Sequence, residues 1–307
     1  MSVLIPAYNA RDALELCLLS LARQVLNTEH TVEVIVVDDG SEDGTGTMVT
    51  GLSTSLDLRY VFEPRSPTSG RARARNIGLE LASGDLVVML DADQMVAPAF
   101  LAEHVCSHTG QDDLLVLGAR HQMGEGQADP GRLRGAFSLD AFPPAVRGDE
   151  RELVLAALAC GFEELDTCWH HMWTCNASVR RHHLAAVGGF DEDFLGWGLE
   201  DSELGYRLHR SGVRFHYTPR AVVHHEHRGA GVSAQMLGEW RRNLAHFTRK
   251  HDDPVVMLQR VFDPVIDPHT ASDVTWAECA VRFELAARAL HGRSQLPLIP
   301  RSQPDTA

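Results

Sequence analysis

Short apolar runs and amphipathic stretches alternate through the first third of the chain. Val3-Leu4-Ile5 predicts a buried strand. Ala13, Leu14, Leu16, Leu18, Leu21 and Ala22 then recur at helical spacing. Val32 to Val37 predicts a second strand, closed by Asp38-Asp39-Gly40-Ser41. Ser41 is suited to cap a short helix with Glu42 and Asp43 in its first turn. Leu58 to Phe62 predicts a third strand and Ala72 to Ala82 a helix stopped at Ser83-Gly84. The all-apolar run Leu86 to Leu90 predicts a fourth strand covered on both faces. This β-α-β-α-β-α-β order implies an α/β fold with a mostly parallel sheet and right-handed crossovers.

Beyond Leu117 the regularity fades. Gly118 to Glu150 is rich in Gly, Pro and charge and reads as a long loop. Helices are predicted over Glu150–Cys160, Leu199–Ser211, Met236–His251 and Val274–Leu290, with a short one ending near Val187. Strands are predicted over Trp173–Arg180 and Val213–Tyr217. The expected division is 1–117, a regular α/β half; 118–230, a less regular half; 231–294, a helical extension; and 295–307, a Pro-containing disordered tail.

Ligands of such sheets bind beyond the carboxyl ends of the strands. Polar clusters stand there: Pro6-Ala7-Tyr8-Asn9, Asp38-Asp39 and Asp91-Ala92-Asp93. Two carboxylates two residues apart after a strand suit Mg²⁺ or Mn²⁺, although an isolated Asp there is more often a cap or turn former. In Phe194-Leu195-Gly196-Trp197-Gly198-Leu199-Glu200-Asp201, glycines flank an aromatic wall ahead of two carboxylates in the first turn of a helix. Helix-dipole stabilisation accounts for one of these carboxylates; one beside a wall on which a sugar can stack is what a general base needs. Doubled histidines recur, and His224 stands out because it follows a strand-like run and precedes a Gly-rich loop. Arg71, Arg73 and Arg75 open a helix, where they can pair with carboxylates or reach a phosphate.

Composition narrows the class. Net charge is −14, from 28 Lys+Arg against 42 Asp+Glu, which argues against nucleic-acid and anionic-membrane partners. No run approaches the roughly 20 apolar residues of a membrane span, so no membrane insertion is expected. Six scattered cysteines without a C-x-x-C pair and a start lacking a basic leader point to the cytoplasm.

Taken in order, V-L-I-P-A-Y-N, V-I-V-V-D-D-G-S, A-R-N-x-G at Ala74 to Gly78, L-D-A-D at Leu90 to Asp93 and G-G-F-D-E-x-F-x-G-W-G-x-E-D resemble family 2 inverting glycosyltransferases of the GT-A fold. The later blocks resemble the branch shared with chondroitin-polymerase-type and polypeptide N-acetylgalactosaminyl-type enzymes. The likeness covers roughly residues 2 to 230. It implies that Pro6, Ala7, Tyr8, Asn9 and Ala92 cradle the nucleotide, with Asp39 or Asp38 on a uracil edge and Arg71 or Arg75 assisting. It implies that Asp91 faces ribose or metal, that Asp93 binds Mn²⁺ or Mg²⁺, and that His224 completes the metal shell, with His225 as the fallback. Asp201 would be the base, with Glu200 touching donor or acceptor, and Trp197, Gly196 and Phe194 would lie against a sugar. The expected reaction moves an N-acetylhexosamine or hexose from a UDP-sugar to a soluble small molecule, or alternatively to a glycan or protein. Rivals are a nucleotidyltransferase, which would place a basic Gly-rich loop after the first strand, and a binding module lacking the base.

Overall fold

The computed structural model describes residues 1–27, 29–124, 128–135, 141–225, 231–267, 269–270 and 273–292. The expected disordered tail, 295–307, and the Gly-rich segment after His225 lie outside the described residues, apart from Gly231.

Among the described residues nine strands form one sheet. They are β1 (Ser2–Ala7), β2 (Glu33–Asp38), β3 (Asp57–Phe62), β4 (Leu86–Leu90), β5 (Gln94–Val96), β6 (Leu114–Met123), β7 (Ala145–Arg147), β8 (Asn176–Arg180) and β9 (Arg214–His225). The order is β3-β2-β1-β4-β8-β6-β9-β5, with β7 on β6. β3, β2, β1 and β4 are parallel, as the alternating pattern predicts. β8 enters antiparallel between β4 and β6, while β6 and β9 are parallel to each other. All five residues of β4 are buried, in keeping with its unbroken apolar run.

The helices are α1 (Arg11–Leu21), α2 (Thr45–Gly51), α3 (Arg71–Leu81), α4 (Phe100–His108), α5 (Pro130–Gly135), α6 (Glu150–Leu158), α7 (Arg181–Ala186), α8 (Glu200–Arg210), α9 (Ala234–Lys250), α10 (Pro254–Met257), α11 (Asp263–Ile266) and α12 (Trp276–Leu290). They cover both sheet faces. Val3, Ile5, Val34 and Val36 pack with α1 on one side. Leu4, Ile35, Val87 and Met89 share the other core with Phe247, Phe283 and Ala287 from the C-terminal helices.

Three expectations change. Ser41 does not start a helix; α2 begins at Thr45, whose N–H and hydroxyl both donate to Asp43 Oδ1, at 3.0 Å and 2.5 Å. The stretch 118–150 is not one loop. β6 continues to Met123 across a register shift at Gly118/Ala119, so the boundary expected at 117/118 falls inside a strand. Gly118 is required there, because a Cβ would meet Ala221 O at 2.3 Å and the Asn176 amide at 2.5 Å. That amide donates to Ala119 O and Ala221 O, at 2.9 Å and 2.8 Å, and closes the irregularity. β9 also runs to His225, past Pro219, because the same irregularity spares the missing N–H a ladder partner.

Candidate active site

The carboxyl ends of β1, β2 and β4 open on a cleft of ≈ 320 Å³ lined by Pro6, Ala7, Tyr8, Asn9, Asp39, Arg65, Ser69, Arg71, Asp91, Ala92, Asp93 and Gly196. The two aspartates ending β2 part company here. Asp38 is fully buried, with Oδ1 accepting from Ser41 N at 2.8 Å and Oδ2 from Tyr60 Oη at 2.7 Å. Its carboxylate closes the turn, so Asp38 does not line the cleft where the resemblance places it beside Asp39. Asp39 faces the cleft. Its Oδ2 pairs with Arg65 Nη1 at 2.5 Å, while Oδ1 is buried without a hydrogen-bond partner. Burial raises its pKa, and Arg65 opposes the rise. The Arg65 guanidinium lies 4.0 Å over the Tyr8 ring, so cation and ring form a flat wall beside that orphaned oxygen. No motif marked Arg65. Asn9, at φ 47°, ties the two loops together by accepting from Glu42 N at 2.9 Å and donating its own N–H to Ser41 Oγ at 2.8 Å.

The arginines that open α3 split by helical phase. Arg73 points outward to Glu63 at 2.7 Å. Arg71 stays in the cleft and donates to Gly196 O at 3.1 Å. Arg75 turns inward and is 2% exposed. Its Nη2 reaches Asp91 Oδ1 at 2.9 Å and its Nη1 reaches Glu200 Oε1 at 3.1 Å. Arg75 therefore does not line this cleft; it joins the carboxylate after β4 to the one that opens α8. Asp201, next to Glu200, faces a second cavity. Its pKa is pushed up to about 7, by burial first and the Glu200 charge second, against the pull of Arg75. A carboxylate poised near neutrality fits proton abstraction.

Asp93 Oδ2 lies 3.4 Å from His225 Nε2, and Asp93 Oδ1 accepts from Gln94 Nε2 at 3.0 Å. His225 Nδ1 meets Gln122 Oε1 at 2.9 Å, a contact that fixes the ring with Nε2 directed toward Asp93. His224 is the neighbour on the opposite face of β9. It stacks on Phe142 at 5.6 Å and meets His121 edge-on at 5.8 Å, and burial lowers its pKa to about 4. Strand alternation thus corrects the expectation: His225, not His224, stands with Asp93. A separate group, Asp191, Asp193 and His246, also brings ligand atoms together among the described residues. There Lys250 Nζ sits 2.6 Å from Asp191 and, with His246, holds its pKa at about 2 against burial, so an ammonium already supplies the positive charge.

The Gly-Trp-Gly turn crosses between the cleft and the second cavity. Gly196 has φ +77°, and a Cβ there would lie 2.4 Å from Glu239 Cδ. Trp197 N donates to Glu239 Oε2 at 2.9 Å, and Asn243 Nδ2 donates to Gly198 O at 2.8 Å and Leu195 O at 3.2 Å. α9, a segment without a readable motif, therefore grips the turn. Phe194 does not reach a ligand position; it is 2% exposed and packs on His246 and Phe247. The second cavity, ≈ 660 Å³, is bounded by Glu200, Asp201, Asp93, His225, Arg120 and four tryptophans, Trp173, Trp197, Trp240 and Trp276. These are four of the chain's five tryptophans, and two of them come from the C-terminal helices. Their clustering is invisible in sequence because 103 positions separate the first from the last.

Among the described residues no helix is long and apolar enough to cross a membrane. The model of a domain called glycosyl transferase family 2 matches residues 2–180, and one called N-terminal domain of galactosyltransferase matches residues 157–228. A validoxylamine A glucosyltransferase of Streptomyces hygroscopicus subsp. jinggangensis is 35% identical over 266 residues, covering 82% of this chain and 61% of that protein. The chain thus matches about three-fifths of that relative's length. Staphylococcus aureus TarS 1-349 in complex with UDP aligns with TM-score 0.59 at 18% identity, over 90% of this chain and 76% of that one. GalNAc-T7 with UDP, GalNAc and Mn²⁺ aligns with TM-score 0.58 at 17% identity, over 97% and 58%. Both share the GT-A type of mixed α/β fold. With more than half its length matched by the first of these domain models, the chain belongs to glycosyl transferase family 2.

Proposed function

We propose that this protein transfers a sugar, with inversion, from a UDP-sugar to a soluble polyhydroxy acceptor in a metal-dependent reaction. The observation that carries the reading is the continuity of three sites. The Tyr8–Arg65 wall with the orphaned Asp39 Oδ1 stands at one end. Asp93 and His225 stand in the middle, and Asp201 stands at the other end. A uracil N3–H is the kind of donor that Asp39 Oδ1 lacks. The preferred donor sugar is an N-acetylhexosamine or hexose. The TarS and GalNAc-T7 structures, which hold UDP, support the nucleotide.

The Asp93 carboxylate and the His225 imidazole oriented by Gln122 are a donor set suited to Mn²⁺ or Mg²⁺. Such a cation would offset charge on the diphosphate leaving group. Arg71 sits in the cleft as a second cation for that diphosphate. Asp201 removes the proton from the acceptor hydroxyl, whose oxygen attacks the anomeric carbon from the face opposite the diphosphate. Arg75 holds Glu200 and Asp91 in place between the two halves. Trp197 offers an aromatic face to a sugar ring. In this reading residues 1–117 serve the donor and supply Asp93, 118–230 carry His225, the base and most of the acceptor wall, and 231–294 are a helical extension that completes that wall. The cytoplasm remains the proposed location.

The test is the melting temperature with UDP, GDP or dTDP, each with Mn²⁺ or EDTA. A ligand at about a hundred times its Kd adds roughly 2.7 kcal/mol. A shift specific to UDP and dependent on Mn²⁺ is expected. A shift with GDP or dTDP alone would overturn the assignment of the base. Release of UDP from a UDP-sugar, rather than pyrophosphate, separates transfer from nucleotidyl chemistry.

A further inference from the structure

Arg120 is the unexplained charge of the acceptor cavity. It stands on β6 two residues before Gln122, on the same face of the strand, so it flanks the Asp93–His225 pair on the side away from the nucleotide cleft. Its guanidinium lies 4.8 Å over the Trp173 ring. Arg151 lies 4.7 Å from that ring too, but Arg151 is neutralised by Asp149 at 2.6 Å. Among the described residues, the Arg120 side chain has neither a hydrogen bond nor an ion pair.

Of the carboxylates that line this cavity, Asp201 accepts from Ser202 N at 2.8 Å and makes no ion pair with Arg120, and the others are engaged elsewhere. Arg75 takes Asp91 and Glu200. Arg147 takes Glu150 at 2.8 Å. His225 and Gln94 face Asp93. In a protein with 42 acidic residues and 28 basic ones, Arg120 thus stands without an ion pair among the described residues, held against an indole in the wall of this cavity. A guanidinium so placed is suited to a bidentate anion, and the stacking pre-orders it.

Resting on the function proposed above, we infer that Arg120 recognises a carboxylate or phosphate carried by the acceptor, so that the acceptor class is an anionic sugar or cyclitol ring. The tryptophans enclose the ring and Arg120 selects its charge. Arg120 is then a specificity residue and takes no part in the proton transfer.

The test uses the full chain with UDP and Mn²⁺ bound, after UDP binding has been verified by melting temperature. Methyl β-D-glucuronide, glucose 6-phosphate and methyl β-D-glucoside are titrated separately, reading the intrinsic fluorescence of the cavity tryptophans. An anionic sugar is expected to bind about tenfold or more tightly than the neutral one, the scale of a charge-assisted contact. Arg120→Met should abolish the preference without moving the UDP shift, and Arg120→Lys should restore part of it. Equal binding of neutral and charged sugars, or a preference that survives in Arg120→Met, would overturn the inference. So would binding of none of the three while UDP still binds, an outcome that leaves the transferase reading standing. If Arg120→Met instead alters the choice between UDP-glucose and UDP-glucuronate, the cation belongs to the donor sugar and the inference fails. Absence of any UDP shift removes the transferase reading itself, and this inference with it.

Discussion

Replacing Arg75 by Met tests the frame of the site. The guanidinium is 2% exposed and bonds Asp91 and Glu200 at 2.9 and 3.1 Å, while Glu200 is itself 7% exposed. Met fills comparable volume but leaves the carboxylates without their counter-charge. Breaking a buried pair from one side costs about 3–5 kcal/mol. At about 2 °C per kcal/mol for a chain of this size, the melting temperature should fall by about 6–10 °C. The loss should depend on pH. Asp201 titrates near 7 because burial and the Glu200 charge disfavour its ionised form, and Arg75 opposes them. Without Arg75 its folded pKa rises further above the unfolded value of about 3.9. An acid raised in this way weakens the fold progressively as pH climbs from about 4, and the penalty is complete once pH exceeds the folded pKa. The deficit of Arg75→Met should therefore be largest near pH 8 and shrink toward pH 4.5. Thermal unfolding of both proteins across that range measures it. A deficit under about 2 °C, or one equal at both ends, would refute the view that Arg75 carries the charge balance of Asp91, Glu200 and Asp201.

Further outcomes follow from the same geometry. Asp201→Asn should retain the UDP shift and lose about 10²- to 10⁴-fold in turnover; unchanged turnover would remove the base assignment. His225→Ala should abolish the Mn²⁺ dependence of UDP binding. His224→Ala should lower the melting temperature by emptying the space beside Phe142 and leave that dependence intact; the reverse result would restore His224. Asp39→Ala should weaken UDP binding by about tenfold or more, read by calorimetry against an unchanged affinity for Mn²⁺ alone. Gly196→Ala should push the turn off α9, because its Cβ would overlap Glu239 in a backbone region unfavourable to alanine, and turnover should fall.

The first half of the fold was legible along the chain because its signals are local. Alternating apolar runs specify β1 to β4, α1 and α3, and strand ends place Asp39, Asp91 and Asp93 at one edge whatever the rest of the chain does. Spacing also brought Trp197, Glu200 and Asp201 together, since a Gly-flanked turn and the first turn of a helix span only a few residues. Side-chain direction was not local. Whether Asp38 or Asp39 faces the cleft depends on Tyr60 of β3, and whether His224 or His225 meets Asp93 depends on the register of β9 against β5 and β6. A one-residue change of phase reverses either answer, and neither pattern of letters encodes it. Arg65, Arg120, Gln122, Glu239 and the tryptophans of α9 and α12 belong to segments separated by tens to hundreds of positions. They converge only because the C-terminal helices pack on the same core as the sheet. Local periodicity thus determined β1 to β4, the helices α1 and α3, and the carboxylates at those strand ends. Tertiary packing decided the place of β5 to β9 in the sheet, which of those carboxylates face the cleft, which cations balance them and what lines the second cavity, because each of these is set by partners distant in the chain.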